Sequence, residues 1–259
     1  MVKNMLIRAK EHGFLFSELI KRDFKKKYKR THLGMIWSLL SPLLTLFVMR
    51  IVFTRFFGND VEHYTIYLFC GNIIFSFFSD ATSSGMSSLM DNSSVFSKVN
   101  VPKYLFLFSK NISSLINFSL TFVVFLVFCI LDGVAITPFF FALAFPISCL
   151  ILFNLGMGFI LSSLYMFFRD IQYLWGVFIM LLMYLSAIFY SVESYTPEVQ
   201  KLFLFNPIFV YIKYFRLVVL DRSLPSVQYH ALALGYAVLT FAIGAFIYKR
   251  KNHKFLYYV

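Results

Sequence analysis

The chain has 259 residues and a net charge of +12, with 59% hydrophobic against 14% charged residues. A soluble domain carries roughly a quarter charged residues, so an ordinary water-soluble fold is excluded, and recurring apolar runs of about 20 residues point to an all-α polytopic membrane protein. The excess of Lys and Arg does not indicate nucleic acid, because it sits at the ends of apolar runs, where it fixes orientation in a bilayer.

The first element is cationic. Seven of the ten residues from Lys21 to Arg30 are Lys or Arg. Phe16, Ile20, Phe24 and Tyr28 recur every four residues, with Leu19 beside them. That spacing predicts an amphipathic helix lying in the membrane interface, its cations toward anionic headgroups; a plain topology anchor is the alternative. Residues 1–35 are assigned to this interface region and 36–259 to a transmembrane domain. The start is basic and amphipathic, without a short apolar core and small-residue cleavage site, so no signal peptide is expected.

Six spans follow from apolar length: about Ile36 to Phe57, Tyr64 to Leu89, Tyr104 to Leu131, Pro138 to Phe168, Ile171 to Tyr190, and Tyr229 to Tyr248. With the N-terminus cytoplasmic, eighteen Lys and Arg fall inside and five outside. The positive-inside rule then places both termini in the cytoplasm.

Polar residues interrupt these spans at helical spacing. In the second span Asn72, Ser76, Ser79 or Asp80, Ser83 and Ser87 recur every three to four residues and share one face. The first span carries Ser38, Ser41 and Thr45; the fourth carries Asn154, Gly158, Ser162 and Tyr165. Such stripes serve helix packing or line a polar route, and three in one bundle favour the route. Asp80 is costly in a membrane and marks function, although an ion pair with Arg50 would also account for it. The Tyr184 hydroxyl, deep in a span, needs a partner or water.

The connection from Met90 to Tyr104 is short and of mixed polarity. Val95, Phe96, Val99 and Val101 need a cover, either the protein's own spans or a partner. Beyond the fifth span, Thr196-Pro197-Glu198 and Asn206-Pro207 are helix starts. They predict two short helices, about Pro197 to Phe205 and Pro207 to Leu220. Lys201, Lys213, Arg216 and Asp221 argue against a plain span and for a re-entrant or interfacial pair.

No phosphate-cradling G-x-x-x-x-G-K-[ST] and no H-E-x-x-H motif occurs, and no metal site is expected. Cys70, Cys129 and Cys149 lack metal spacing and read as small buried hydrophobes. No paired carboxylates suggest acid–base work. The chain reads as a pathway without catalytic residues, its energy coming from a partner.

These residues resemble the type-2 ABC exporter permeases of bacterial polysaccharide systems, the O-antigen, capsule and teichoic-acid group. The pattern R-D-x-K-x-x-Y-x-x-x-x-L-G-x-x-W-x-x-x-x-P is matched by Arg22, Asp23, Lys25, Tyr28, Leu33, Gly34, Trp37 and Pro42. Asn92, Lys98, Val99 and Pro102 are similar to the family's cytoplasmic connection, and Asn206, Pro207 and Arg216 to its outer motif. Thr31 and Val101 depart from the residues the family more often carries.

The resemblance implies a homodimer of six-helix subunits in the bacterial inner membrane, with two copies of a separate ABC ATPase beneath. ATP and magnesium would belong to that partner, with no cofactor in this chain. The substrate would be a polysaccharide on undecaprenyl diphosphate. A coupling helix at about 91–102 would dock the ATPase through Asp91, Asn92, Phe96, Lys98, Val99, Val101 and Pro102. Arg22, Lys25, Lys29 and Arg30 would meet the headgroup. Ser38, Ser41, Asn72, Ser76, Asp80, Ser83 and Tyr184 would line the channel. Gate helices at about 197–220 would carry Pro197, Asn206, Pro207 and Arg216. A permease for a smaller lipid or drug, an integral membrane transferase and a stand-alone channel are the competing readings.

Overall fold

A computed structural model describes residues 13–25, 34–57, 62–99 and 101–258. Among them every regular element is helical. Helix α1 covers residues 13–25. A 3₁₀ turn Gly34–Ile36 leads into α2, Trp37–Phe57, and then come α3, Tyr64–Asp91, and the single turn α4, Ser93–Phe96. Helix α5 spans Tyr104–Leu131; a 3₁₀ segment Pro138–Leu143 precedes α6, Ala144–Phe167; α7 is Ile171–Leu185. The short α8, Pro197–Phe203, and α9, Pro207–Val219, are followed by α10, Val227–Lys251, and a terminal 3₁₀ turn, Asn252–Tyr257.

Among the described residues three segments are long and apolar enough to cross a membrane by themselves: Tyr104–Leu131, Pro138–Phe167 and Val227–Tyr257. The α8–α9 pair passes the same test as one unit but is bent by 108°. Helices α2 and α7 are apolar but shorter. Helix α3 is long enough at 28 residues, but its serines and aspartates dilute its apolar character. The expected fifth span continues to Tyr190, whereas α7 ends at Leu185. Ala187 there adopts a left-handed φ of 51°, which a non-glycine residue takes only under outside constraint, and its carbonyl and that of Ile188 are held by Arg216.

The bundle is organised around α3, which packs on α5 and α6, while α6 packs along α10. The α6–α10 contact is backbone on backbone. A Cβ on Gly244 would lie 2.3 Å from the Gly156 carbonyl oxygen, and one on Gly156 would lie 2.6 Å from the Phe241 nitrogen. Small residues allow this approach where lipid supplies no hydrophobic drive between helices. The main core is aromatic and aliphatic: Phe69 meets Phe125 edge-on at 5.4 Å, and Phe125 lies 5.7 Å from Phe215. The three cysteines are free and buried, as their apolar settings predict.

One end of the molecule gathers α1, α4, the start of α5 and the terminal turn around a second core of Leu19, Leu89, Phe96, Phe106 and Phe255. Many Lys and Arg lie here, and it is called the basic end below. Helices α8 and α9 form part of the far end. In α1 the inward residues are Leu19 and Asp23, with Phe16, Ile20 and Phe24 only half-buried. The apolar face read from the sequence is thus the one left beside the packed face. Tyr28 lies outside the described residues.

Replacing Gly244 by Val should cost at least about 3 kcal/mol, because overpacking against backbone cannot be relieved by rotamer change. Gly235→Ala, where nothing lies within 4 Å, should be neutral or stabilising by about 0.5–1 kcal/mol. Thermal unfolding of the detergent-solubilised protein, followed by tryptophan fluorescence, measures both.

Candidate functional site

Residues 72, 76, 80 and 84 of α3 are each four apart, so they form one slowly precessing stripe. They face α2 and α5. Ser38, Ser41, Asn72, Ser76 and Asp80 line a cleft of about 520 Å³ together with Ser114, Asn117 and Thr121 of α5. Within it the Ser76 hydroxyl donates to Asn72 Oδ1 at 3.4 Å, and Thr45 donates to the Ser41 carbonyl at 2.9 Å. No Asp80–Arg50 ion pair occurs among the described residues.

Ser114, Asn117 and Thr121 were not singled out in the sequence. Their spacing of three and four is a polar stripe, masked by the high apolar average of α5. Ser83 is half-buried and does not line the cleft; its neighbour Ser84 carries the stripe onward, donating to the Asp80 carbonyl at 2.6 Å. Tyr184 lies elsewhere, 53% exposed on α7. It meets Phe189 and accepts the Tyr190 hydroxyl through its own carbonyl.

A smaller cavity, lined by Asp23, Asp80, Ser84, Asp91, Lys110, Ser113 and Ser114, shares Asp80 and Ser114 with the cleft. The polar face therefore continues to the basic end, where it meets an ionic knot. Asp23 is 6% exposed. Its carboxylate accepts from Arg22 Nη2 at 2.8 Å and from the Ser109 hydroxyl at 3.0 Å, and Lys110 Nζ is 3.7 Å away. Lys110 Nζ is also 3.4 Å from Asp91, which accepts from Ser87 at 2.9 Å. Arg22 Nη2 donates to Asn92 Oδ1 at 2.7 Å, and Asn92 Nδ2 donates to the Ser88 carbonyl at 2.7 Å. Among the described residues two cations and two carboxylates balance; Asp23 and Lys110 are shielded, Arg22 and Asp91 lie at the exposed margin, and polar side chains take further hydrogen bonds, as a partly buried charge cluster requires.

This knot joins residues that the sequence assigned to different tasks. Arg22, expected at a lipid headgroup, is bonded to Asn92, expected on a docking surface. Asn92 is 1% exposed. Lys25 remains exposed; Lys29 and Arg30 lie outside the described residues.

Phe96 also corrects the sequence reading. It is 5% exposed and packs in the second core, its ring 6.1 Å from Phe106. Val95 and Val101 pack against the same core. Lys103 Nζ sits 5.6 Å from the Phe96 ring and 5.8 Å from the Phe255 ring, and donates to the Asn252 carbonyl at 3.0 Å. Burial pushes the Lys103 ammonium below the ordinary lysine range. Of the residues expected at the docking surface, Asp91, Lys98 and Val99 are exposed and Pro102 is half-buried, with Ser94 and Ser97 exposed beside them.

At the far end Pro197 opens α8 as the sequence predicts, although the Thr196 side chain makes no capping bond. Asn206 does cap α9: Oδ1 accepts from the Ile208 and Phe209 amides, and Nδ2 donates to the Leu185 carbonyl and Ser186 Oγ. Pro207 follows at the first helical position, where its missing N–H costs nothing.

Arg216, expected in the outer gate, is 4% exposed. It donates to the carbonyls of Ala187 at 2.8 Å and Ile188 at 2.9 Å, and more weakly to that of Tyr67. Its guanidinium lies 3.4 Å from the Tyr67 ring centroid. Gly71 leaves room for it, since a Cβ there would lie 3.0 Å from Arg216 Nη2. Beside it opens a cavity of about 610 Å³, lined by Glu193, Lys201, Lys213 and Asp221 among others. Burial raises the Asp221 carboxyl above the usual carboxylate range. Among the described residues no three His, Cys, Asp or Glu come close enough to hold a metal.

The family described as ABC-2 type transporter matches residues 15–220. The O-antigen export system permease protein RfbA of Klebsiella pneumoniae is 24% identical over 249 residues, which cover 94% of this chain and 95% of that protein. The RfbA protein of Myxococcus xanthus is 25% identical over 245 residues, 93% of each chain. The capsule polysaccharide export inner-membrane protein CtrC of Neisseria meningitidis serogroup A is 23% identical over 211 residues, 80% of this chain and 77% of that one.

The knot makes a measurable demand. Asp23→Ala removes the acceptor of Arg22 and Ser109 and one of the two carboxylates facing Lys110, and should cost about 3 kcal/mol, the order expected when one partner of a buried pair is removed. It should also expose residues 13–25 to trypsin. Asp23→Leu combined with Lys110→Met should recover a large part of that loss in the same thermal unfolding and proteolysis assays.

Proposed function

The chain belongs to the ABC-2 type transporter family, and from that premise we propose that it is the transmembrane subunit of an ATP-driven polysaccharide exporter. The observation that supports this reading is the polar cleft formed by α2, α3 and α5 between helices that are predominantly apolar. A hydrophilic cargo needs such a face, since hydrocarbon cannot satisfy hydroxyl groups. The likeness to two O-antigen permeases and a capsule export protein supports a saccharide polymer as cargo.

In this proposal the subunit has six spans, α2, α3, α5, α6, α7 and α10, with the α8–α9 pair at the outer mouth, and it works as a homodimer. Both termini are cytoplasmic in the bacterial inner membrane. Two copies of an ABC ATPase bind ATP and magnesium and dock beneath, where Asp91, Lys98 and Val99 are exposed and Pro102 is partly so. Asn92 and Phe96 act from inside, fixing the pose of that connection. The cargo is carried on undecaprenyl diphosphate, its phosphates met by Lys25, Lys29 and Arg30. The α8–α9 pair forms the outer gate, with Arg216 as its internal brace.

A strain lacking the gene, complemented with wild type or variant, tests this reading through surface polysaccharide. Ser76→Trp or Ser41→Trp should fill the cleft and reduce surface polymer to the level of the deletion strain, while the protein still reaches the membrane and retains its ATPase partner. Full export by both variants would sink the cleft as the route. Unchanged surface polymer in the deletion strain itself would sink the polysaccharide assignment.

A further inference from the structure

The C-terminal end of α10 carries a concave basic site that the cleft, the knot and the gate do not use. A cavity of about 530 Å³ is lined by Phe246, Ile247, Arg250, Lys251, His253 and Lys254. Its described lining contains four basic side chains and no carboxylate. Phe246 and Arg250 are four residues apart, as are Ile247 and Lys251, so each cation stands about 6 Å along the helix axis from an apolar residue on the same face.

The chain turns back beyond Lys251 into the 3₁₀ segment Asn252–Tyr257. That turn is not loose. Phe255 is fully buried, and Lys103 donates to the Asn252 carbonyl. His253 and Lys254 are therefore held beside the helix end. Lys251 Nζ is steadied 4.8 Å from the Phe167 ring.

The apolar side of the cavity continues along the helix. Leu239, Ile243 and Phe246, spaced by four and three, are 59%, 46% and 65% exposed. They make an open aliphatic and aromatic strip that ends at the cations. Such a strip has no use to a free anion or to an acidic protein surface. It matches a molecule with a hydrocarbon chain and a phosphate at one end.

We propose that this site binds the phosphate headgroup of an anionic lipid, its acyl chain lying along Leu239, Ile243 and Phe246. Arg250 supplies a fork of donors suited to phosphate oxygens; Lys251, Lys254 and the His253 ring complete the ring of donors. The site is independent of what the protein exports.

The test uses the purified full-length protein in phosphatidylcholine nanodiscs containing a minor share of phosphatidylglycerol. Retained lipid is measured by native mass spectrometry after release, and affinity by titrating phosphatidylglycerol. R250Q/K254Q should weaken phosphatidylglycerol binding about thirtyfold, the effect of removing two interfacial cations. R169Q/K249Q, which removes the same charge from exposed neighbouring positions, should leave it unchanged. I243N should weaken lipid retention with every cation in place.

Equal losses in R250Q/K254Q and R169Q/K249Q would overturn the proposal in favour of diffuse attraction to the membrane. Full displacement by inorganic phosphate would overturn it in favour of a free-anion site. Loss of a co-purifying protein from R250Q/K254Q with lipid retention unchanged would overturn it in favour of a protein contact. Monodisperse elution of each variant establishes that it is folded.

Discussion

A carboxylate that leaves water must be met by charge and by hydrogen-bond donors where it lies, and the basic end of this protein is arranged around that demand at Asp23. Three elements contribute to the answer. Helix α1 brings Arg22, α5 brings Ser109 and Lys110, and the end of α3 follows through Asp91 and Asn92. None of these helices is placed there by apolar packing alone. Leu19 secures one turn of α1 in the second core; the charges fix its rotation and depth. Any movement of the α3–α5 connection is therefore felt by α1.

Arg216 solves the inverse problem at the far end without a carboxylate. Its charge is spread over carbonyl oxygens from α3 and from the irregular segment after α7, and over the face of Tyr67. Carbonyl dipoles neutralise a guanidinium only if they are pre-aimed, and that accounts for the left-handed backbone at Ala187 and for the glycine at position 71. The two ends thus differ in what their charges tie together. The knot joins side chain to side chain across separate helices, while Arg216 ties backbone carbonyls of separate segments together.

The sequence made much of this fold legible, for identifiable reasons. Tyr104–Leu131 was read to the residue because its apolar run has sharp polar limits, and Asn206-Pro207 announced α9 through local chemistry alone. What escaped depends on distance along the chain. Phe96 reads as a docking residue until Phe255 and Lys103 are seen beside it. Arg216 reads only as a charge of the outer gate until three distant carbonyls are seen around it. Ser84 and Ser83 are both allowed by a spacing of three to four, and only the rotation of α3 against α5 chooses between them. Ser114, Asn117 and Thr121 were lost in an average, since three small polar groups barely change the hydropathy of a 28-residue helix.

The lock made by Lys103 and the terminal turn has a consequence for biosynthesis. Its partners, Lys103 and Asn252, are 149 positions apart. Phe96 and Phe106 leave the ribosome long before the residue that caps them, so a greasy basin stays open while the rest of the chain is made and inserted. Maturation at this end waits for the last turn to arrive, leaving an interval in which a chaperone or a waiting subunit can occupy the gap.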